Sequence, residues 1–102
     1  MSFDVAVEHL DGTVLVCPIG ELDLETASTL ERVLERLICG PLALEIDLSG
    51  VTFADCAGLR PIRQALRQGS YSLTRVRLSG GAPAVQRVLE LTGLHEPLTP
   101  AD

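Results

Sequence analysis

Residues 44–59 read LEIDLSGVTFADCAGL. The first part alternates: Leu44, Ile46 and Leu48 are apolar, while Glu45, Asp47 and Ser49 are polar. A period of two predicts a strand with one buried face. The alternation then breaks. Asp55, Cys56, Ala57 and Gly58 form a small, acidic loop. Beyond it Leu59, Ile62 and Leu66 recur at helical spacing, with Arg60, Arg63 and Arg67 on the opposite side. This predicts a helix from about Gly58 to Gln68. Pro61 is comfortable only in a first helical turn, so the helix either starts near Arg60 or has a distorted first turn.

Working outward, VAVEHL (5–10) and TVLVCPI (13–19) flank Asp11-Gly12, a turn pair that tolerates positive φ, and read as a β-hairpin closed by Gly20. Asp23 is a good N-cap, with Glu25 in the first turn where the helix dipole favours it. Ala27, Leu30, Val33, Leu34, Leu37 and Ile38 then make an amphipathic stripe. Cys39, Gly40 and Pro41 stop that helix, with Gly40 expected as a left-handed cap. Downstream, GSYS is a loop, and TRVRLSG alternates Val76 and Leu78 against Arg75 and Arg77. In GAPAVQRVLELTGL, Pro83 suits the first helical position; Val85, Val88 and Leu89 form the stripe; Gly93 and Leu94 give a Schellman-type end. The order β-β-α-β-α-β-α predicts an α/β fold, one mixed sheet with parallel later strands and helices packed on it.

The 102 residues suit one domain, with a core from about 5 to 94 and a short tail, HEPLTPAD, at 95–102. Hydrophobic residues make up 46% and charged residues 22%, enough apolar surface for a packed core. That core is aliphatic, since Phe3, Phe53 and Tyr71 are the aromatic residues. Three scattered aromatics and a net charge of −6 argue against nucleic-acid binding. No segment approaches the roughly 18 apolar residues of a membrane span and the start has no basic leader, so a cytoplasmic site without membrane insertion is expected. Cys17, Cys39 and Cys56 are odd in number and lack a CxxC pair, and His9 and His95 lie far from them in sequence; neither a disulfide framework nor a structural zinc is expected.

Enzyme chemistry finds no foothold. A nucleophilic cysteine needs a neighbouring base or a positive site. A phosphatase-type loop needs a cysteine and an arginine with five residues between them, whereas six separate Cys56 from Arg63 and Pro61 is one of them. Cys17 reads as a core or edge-strand residue and Cys39 as packing at a helix end. SGGAPA (79–84) precedes a helix whose amides could meet an anion. It lacks the spacing of a nucleotide loop, and every basic residue in the chain is arginine, so it reads as a turn. Glu45 and Asp47 share a polar strand face, either solvated or an interface. No cofactor is implied, and the weight falls on a binding module.

Three segments, in order, resemble the STAS domain, in particular the bacterial anti-sigma factor antagonists. GELDLETASTL (20–30) is similar to the family's G-E-L/I-D segment and following helix. LEIDLSGVTFADCAGL (44–59) is similar to the strand and loop carrying its D-S/T-S/T-G-L motif. GAPAVQRVLELTGL (81–94) is similar to its last helix. The resemblance spans about Val5 to Leu94. It implies a four- to five-stranded mixed sheet with about three to four helices. It also implies a partner, an anti-sigma factor of the ATPase-like serine-kinase type, whose capture frees a sigma factor for transcription. Carried over residue by residue, the partner surface comprises Asp23, Thr52, Asp55, Cys56, Ala57, Gly58, Leu59, Arg60 and Arg63.

In regulated members the first hydroxyl of the motif is phosphorylated by that kinase, and a metal-dependent phosphatase reverses it. Here Asp55 and Gly58 match the motif, but Cys56 stands at the phospho-acceptor position and Ala57 replaces the second hydroxyl. Ser49 and Thr52 carry hydroxyls away from that position. Constitutive binding is therefore expected. A redox role for Cys56 at a helix N-terminus is weighed against simple tolerance of a small residue. STAS domains also serve as partners of ABC-type ATPases in lipid trafficking, or of other STAS proteins in stress-sensing assemblies, and variants with Ala at the second motif position occur there.

Overall fold

The computed structural model describes residues 3–38, 40, 43–69 and 75–93. Its elements are β1 (Asp4–Leu10), β2 (Thr13–Leu22), α1 (Ala27–Ile38), β3 (Ala43–Asp47), β4 (Val51–Ala54), α2 (Arg60–Gly69), β5 (Val76–Ser79) and α3 (Pro83–Thr92). The strands form one five-stranded sheet in the order β1-β2-β3-β5, with β4 also on β2. β1 and β2 are the antiparallel hairpin, and Gly12 at its turn takes φ 78°. The other pairings are parallel. Cys39, Pro41, residues 70–72 of the GSYS stretch with Tyr71, Leu94 and the tail with His95 lie outside the described residues; Gly69 is the last residue of α2.

β4 is a strand that the alternation rule misses. VTFA buries its two ends and exposes Thr52 and Phe53, so no period of two shows. Val16 of β2 pairs with Ile46 of β3, and Gly20 of β2 pairs with Val51 of β4. A parallel crossover needs a dozen or so residues, and only residues 48–50 join β3 to β4. β4 therefore continues the line of β3 along β2 after a kink. β2 bends with it: the register shifts between Gly20 and Glu21, and Gly20 has φ 117°. Gly20 thus does not end the hairpin strand. It turns the strand and lets it run on to Leu22.

One face of the sheet carries the helices. Val14, Val16, Leu22, Leu44, Ile46, Leu48, Val51 and Ala54 meet Leu30, Leu34 and Ile38 of α1, Ile62 and Ala65 of α2, and Val85 and Leu89 of α3 in a single aliphatic cluster. The stripes of α1 and α3 follow the expected positions, with Val33, Leu37 and Val88 packed at the margin. In α2 the buried residues are Pro61, Ile62 and Ala65, and Leu66 is only half-buried. Gly93 closes α3 at φ 78°, its N–H donating to the Glu90 carbonyl. Gly40 N–H donates to the Leu37 carbonyl at 3.0 Å, but its φ is not positive, so it is not the left-handed cap expected from the sequence.

None of the described helices packs on the opposite sheet face. Cys17 lies there, partly buried and opposite Ala6. It is therefore neither a core residue nor on an edge, because β2 is the strand on which β1, β3 and β4 all pair. Its thiol is pushed above the usual range, first by burial and then by the carboxylates of Asp47, Glu8 and Glu45.

Candidate functional site at two joined helix starts

Two aspartates start two helices in the same way. Asp23 follows β2. Its carbonyl accepts the Ala27 N–H at 2.9 Å, and its Oδ1 accepts the N–H groups of Glu25 and Thr26 at 3.0 and 3.1 Å. Thr26 reciprocates, its Oγ1 accepting the Asp23 N–H at 2.9 Å and donating to the Glu21 carbonyl at 2.7 Å. This is the logic of a capping box, with orphan donors at the helix start satisfied from both sides. Asp23 is thus the N-cap, and regular helix follows from Ala27.

Asp55 repeats the device after β4. Its carbonyl accepts the Leu59 N–H at 3.0 Å, and its Oδ1 accepts the Gly58 N–H at 2.8 Å. The chain is thus capped at Asp55, while regular helix begins at Arg60. The intervening turn is distorted for a local reason. The Arg60 N–H reaches back to Ala57 at 3.4 Å, a three-residue step, and Pro61 has no N–H to give.

The two starts are locked together. The Asp55 N–H donates to the Leu22 carbonyl at 3.3 Å. A Cβ on Gly58 would collide with that carbonyl group and come within 2.7 Å of the Asp23 nitrogen. Gly58 does not have positive φ. It is required by close backbone approach, so glycine at this place joins the GELD segment to the FADCAGL segment.

The expected site residues separate into two sets. Thr52, Cys56, Arg60 and Arg63 are exposed; Asp23, Asp55 and Ala57 are partly exposed. Gly58 and Leu59 are buried, with Leu59 at 1% exposure, so they hold the turn from behind and offer no surface to a partner. Arg60 and Arg63 make no ion pair with another described residue. Two residues stand out that the sequence pattern did not select. Phe53, 49% exposed, pairs with Glu21 across β4 and β2, and Leu24 is 66% exposed. Leu24 shares a shallow groove between α1 and α2 with Arg60 and Pro61. An aromatic residue left outside an aliphatic core was the available signal for Phe53.

Among the described residues no three His, Cys, Asp or Glu side chains stand together as a metal site, and no helix is long and apolar enough to cross a membrane. Cys56 is a free, exposed thiol, and His9 is exposed on β1. Glu45 and Asp47 lie on the open sheet face with Cys17. The site is a surface of two Asp-capped turns, with exposed arginines and exposed apolar side chains about them.

This fold and the paired turns have a family. The model of the STAS domain matches residues 4–101, and the chain belongs to that family. Its relatives include the anti-sigma-F factor antagonist RsfB of Mycobacterium tuberculosis, 30% identical over 93% of this chain and 78% of the relative. The crystal structure of an anti-sigma factor antagonist from Mycobacterium paratuberculosis superposes with a TM-score of 0.86 at 30% identity, covering 96% of this chain and 84% of that one. The crystal structure of a putative anti-sigma factor antagonist from Thermotoga maritima gives a TM-score of 0.75 at 26% identity, over 88% of this chain and 79% of that one.

Proposed function

We propose that this protein is an anti-sigma factor antagonist. It binds an anti-sigma factor of the ATPase-like serine-kinase class through the Asp55 turn, the start of α2 and the Asp23 segment, and so frees a sigma factor. The observation that carries the reading is the near-full-length similarity to the antagonist RsfB, in a chain whose two Asp-capped helix starts are joined into one exposed surface. The protein acts by binding and performs no chemistry of its own.

Cys56 sets the regulation. It is the first residue after the Asp55 cap and is exposed, where a kinase could reach a hydroxyl. A phosphate there would add about −1.5 to −2 charges beside Asp55, in a surface that must pack against a partner. A thiol is not a substrate for a serine kinase, so binding is constitutive and set by the amount of protein.

The test is capture of the host's anti-sigma kinases by the purified protein, followed by incubation with radiolabelled ATP. Wild-type protein is expected to remain bound and unlabelled, while Cys56→Ser accepts label and dissociates. Failure to bind any of these kinases would overturn the function. Label on Cys56 itself would overturn the constitutive regulation.

A further inference from the structure

We propose that the open face of the sheet is a second docking surface, and that its occupant is an amphipathic helix of another protein, with a narrow apolar stripe and lysine or arginine on both flanks. This surface uses none of the residues at the two helix starts and does not depend on the anti-sigma reading.

The strand register fixes which residues share the face. Alternate residues of a strand lie on one side, and residues paired directly across neighbouring strands lie on the same side. Val14 and Val16 are buried under the helices, so Leu15, Cys17 and Ile19 form a row on the other side of β2. Leu15 is paired with Glu8 of β1 on one flank and with Glu45 of β3 on the other. Cys17 is paired with Ala6, and Ile19 with Asp4. Asp47 follows Glu45 on the same side of β3, and it acts on the Cys17 thiol together with Glu8 and Glu45. An apolar row, half-buried at Leu15 and Cys17 and 47% exposed at Ile19, thus runs between two lines of carboxylates. Arg77 lies beyond Glu45 on β5, outside the row.

The dimensions select a helix. Neighbouring strands lie about 4.8 Å apart, so the acids of β1 and β3 are separated by about 10 Å, and a helix with its side chains is about 10–12 Å across. One helix laid along β2 covers the row and brings its two flanks over the two lines of acids. Parallel sheets also occur almost only with both faces covered. Here β3, β4 and β5 join by parallel pairing, and the described helices cover one face. The charges select the flanks, since cations on both sides complement the carboxylates and an acidic helix is repelled. The chain does not supply such a helix. α2, RPIRQALRQG, is basic, but its Ile62 and Ala65 are buried in the core, so a second copy cannot present them. The last nine residues, LHEPLTPAD, carry two acids and no lysine or arginine.

The probe is a fluorescent peptide of about 15 leucines and lysines patterned as this helix, beside a second peptide with glutamate in place of lysine. Anisotropy reads binding to the Cys39→Ser, Cys56→Ser protein, and alkylation of the remaining Cys17 reads occupancy of the face. The lysine peptide is expected to bind and to slow alkylation; the glutamate peptide should do neither. Glu8→Lys with Glu45→Gln should weaken binding about tenfold at low salt and less at high salt. Glutamine is used at 45 because a lysine there would face Arg77. Glu31→Gln with Glu90→Lys makes the same change of charge on α1 and α3 and should leave binding unchanged. Thermal melts verify that each variant folds. Binding without protection of Cys17, or equal weakening by the two pairs of substitutions, would overturn the proposal in favour of general attraction to an acidic protein. Protection of Cys17 that rises with protein concentration in the absence of peptide would overturn it in favour of a face between copies. No binding of the lysine peptide would overturn it outright.

Discussion

Two strand-to-helix junctions of this molecule solve the same problem differently. At β4–α2 the helix start is capped by a side chain, Asp55, and its glycine, Gly58, has no positive φ and is there because the backbone of Leu22 and Asp23 lies against it. At β5–α3 the turn uses two glycines with φ 72° and 110°, Gly80 and Gly81, followed by Pro83. The residue at the N-cap is Ala82, which has no side-chain cap; its carbonyl accepts the Gln86 N–H at 2.9 Å, and the Gln86 side chain reaches back to the Gly80 carbonyl. The second junction is a compact turn that feeds a helix. The first spends its polar groups on joining two segments, and it leaves Cys56, Arg60 and Phe53 on the outside. The difference teaches that glycine in the two loops means different things: conformational freedom in one, contact in the other.

Replacing each glycine by alanine separates the two meanings. Gly58→Ala should cost about 3 kcal/mol, the upper part of the range for overpacking, because the colliding atoms are backbone and cannot swing away. Gly80→Ala should cost about 1–2 kcal/mol, the penalty of the left-handed region for a residue with a Cβ. Its closest neighbours include the side chains of Ser49 and Asp47, which can move. Urea unfolding measures both, and equal costs would erase the distinction.

The caps give a smaller and opposite pair of effects. Asp55→Ala should lose about 1 kcal/mol, as removal of an N-cap side chain does. Ala82→Ser should gain about 0.5–1 kcal/mol, because Ala82 already has the extended conformation of an N-cap, at φ −65° and ψ 160°, without the side chain. A neutral Ala82→Ser would show that Gln86 already does this work.

The smallest effect links the second junction to the open sheet face. Asp47 accepts the Ser49 N–H at 3.0 Å, faces Gly80, and helps to hold the Cys17 thiol protonated. The raised value means the folded state prefers the neutral thiol. Its contribution to stability is therefore complete below the ordinary thiol range and is lost as pH rises through the folded-state value. In a Cys39→Ser, Cys56→Ser background, alkylation of Cys17 should need higher pH than a free thiol. Asp47→Asn should move that profile part of the way down, since burial is the first cause and remains.

Much of this architecture was legible in the residues. Alternation at Leu44, Ile46 and Leu48 and helical spacing from Ala27 to Ile38 reported the core faces directly, because burial imposes those periods. The hairpin turn at Gly12 and the end of α3 at Gly93 were legible because the backbone there needs φ that glycine supplies. β4 was not, because four residues with exposed Thr52 and Phe53 carry no period, and its place is fixed by pairing with β2. The contact of Gly58 with Leu22 was equally hidden, since it joins residues 36 positions apart through backbone atoms. The likeness of the motif put Gly58 and Leu59 on the expected partner surface; packing buries both of them.

The proposal that the Asp55 turn is the docking face is tested most directly by calorimetry of the proposed partner, an anti-sigma kinase, against wild type and Cys56→Glu. Cys56 is exposed, so the substitution should leave the melting temperature unchanged. A carboxylate at this point, beside Asp55 and within the interface, should weaken binding by about a hundredfold, the scale of leaving a charge buried without a partner. Wild-type affinity for the folded variant would contradict the account.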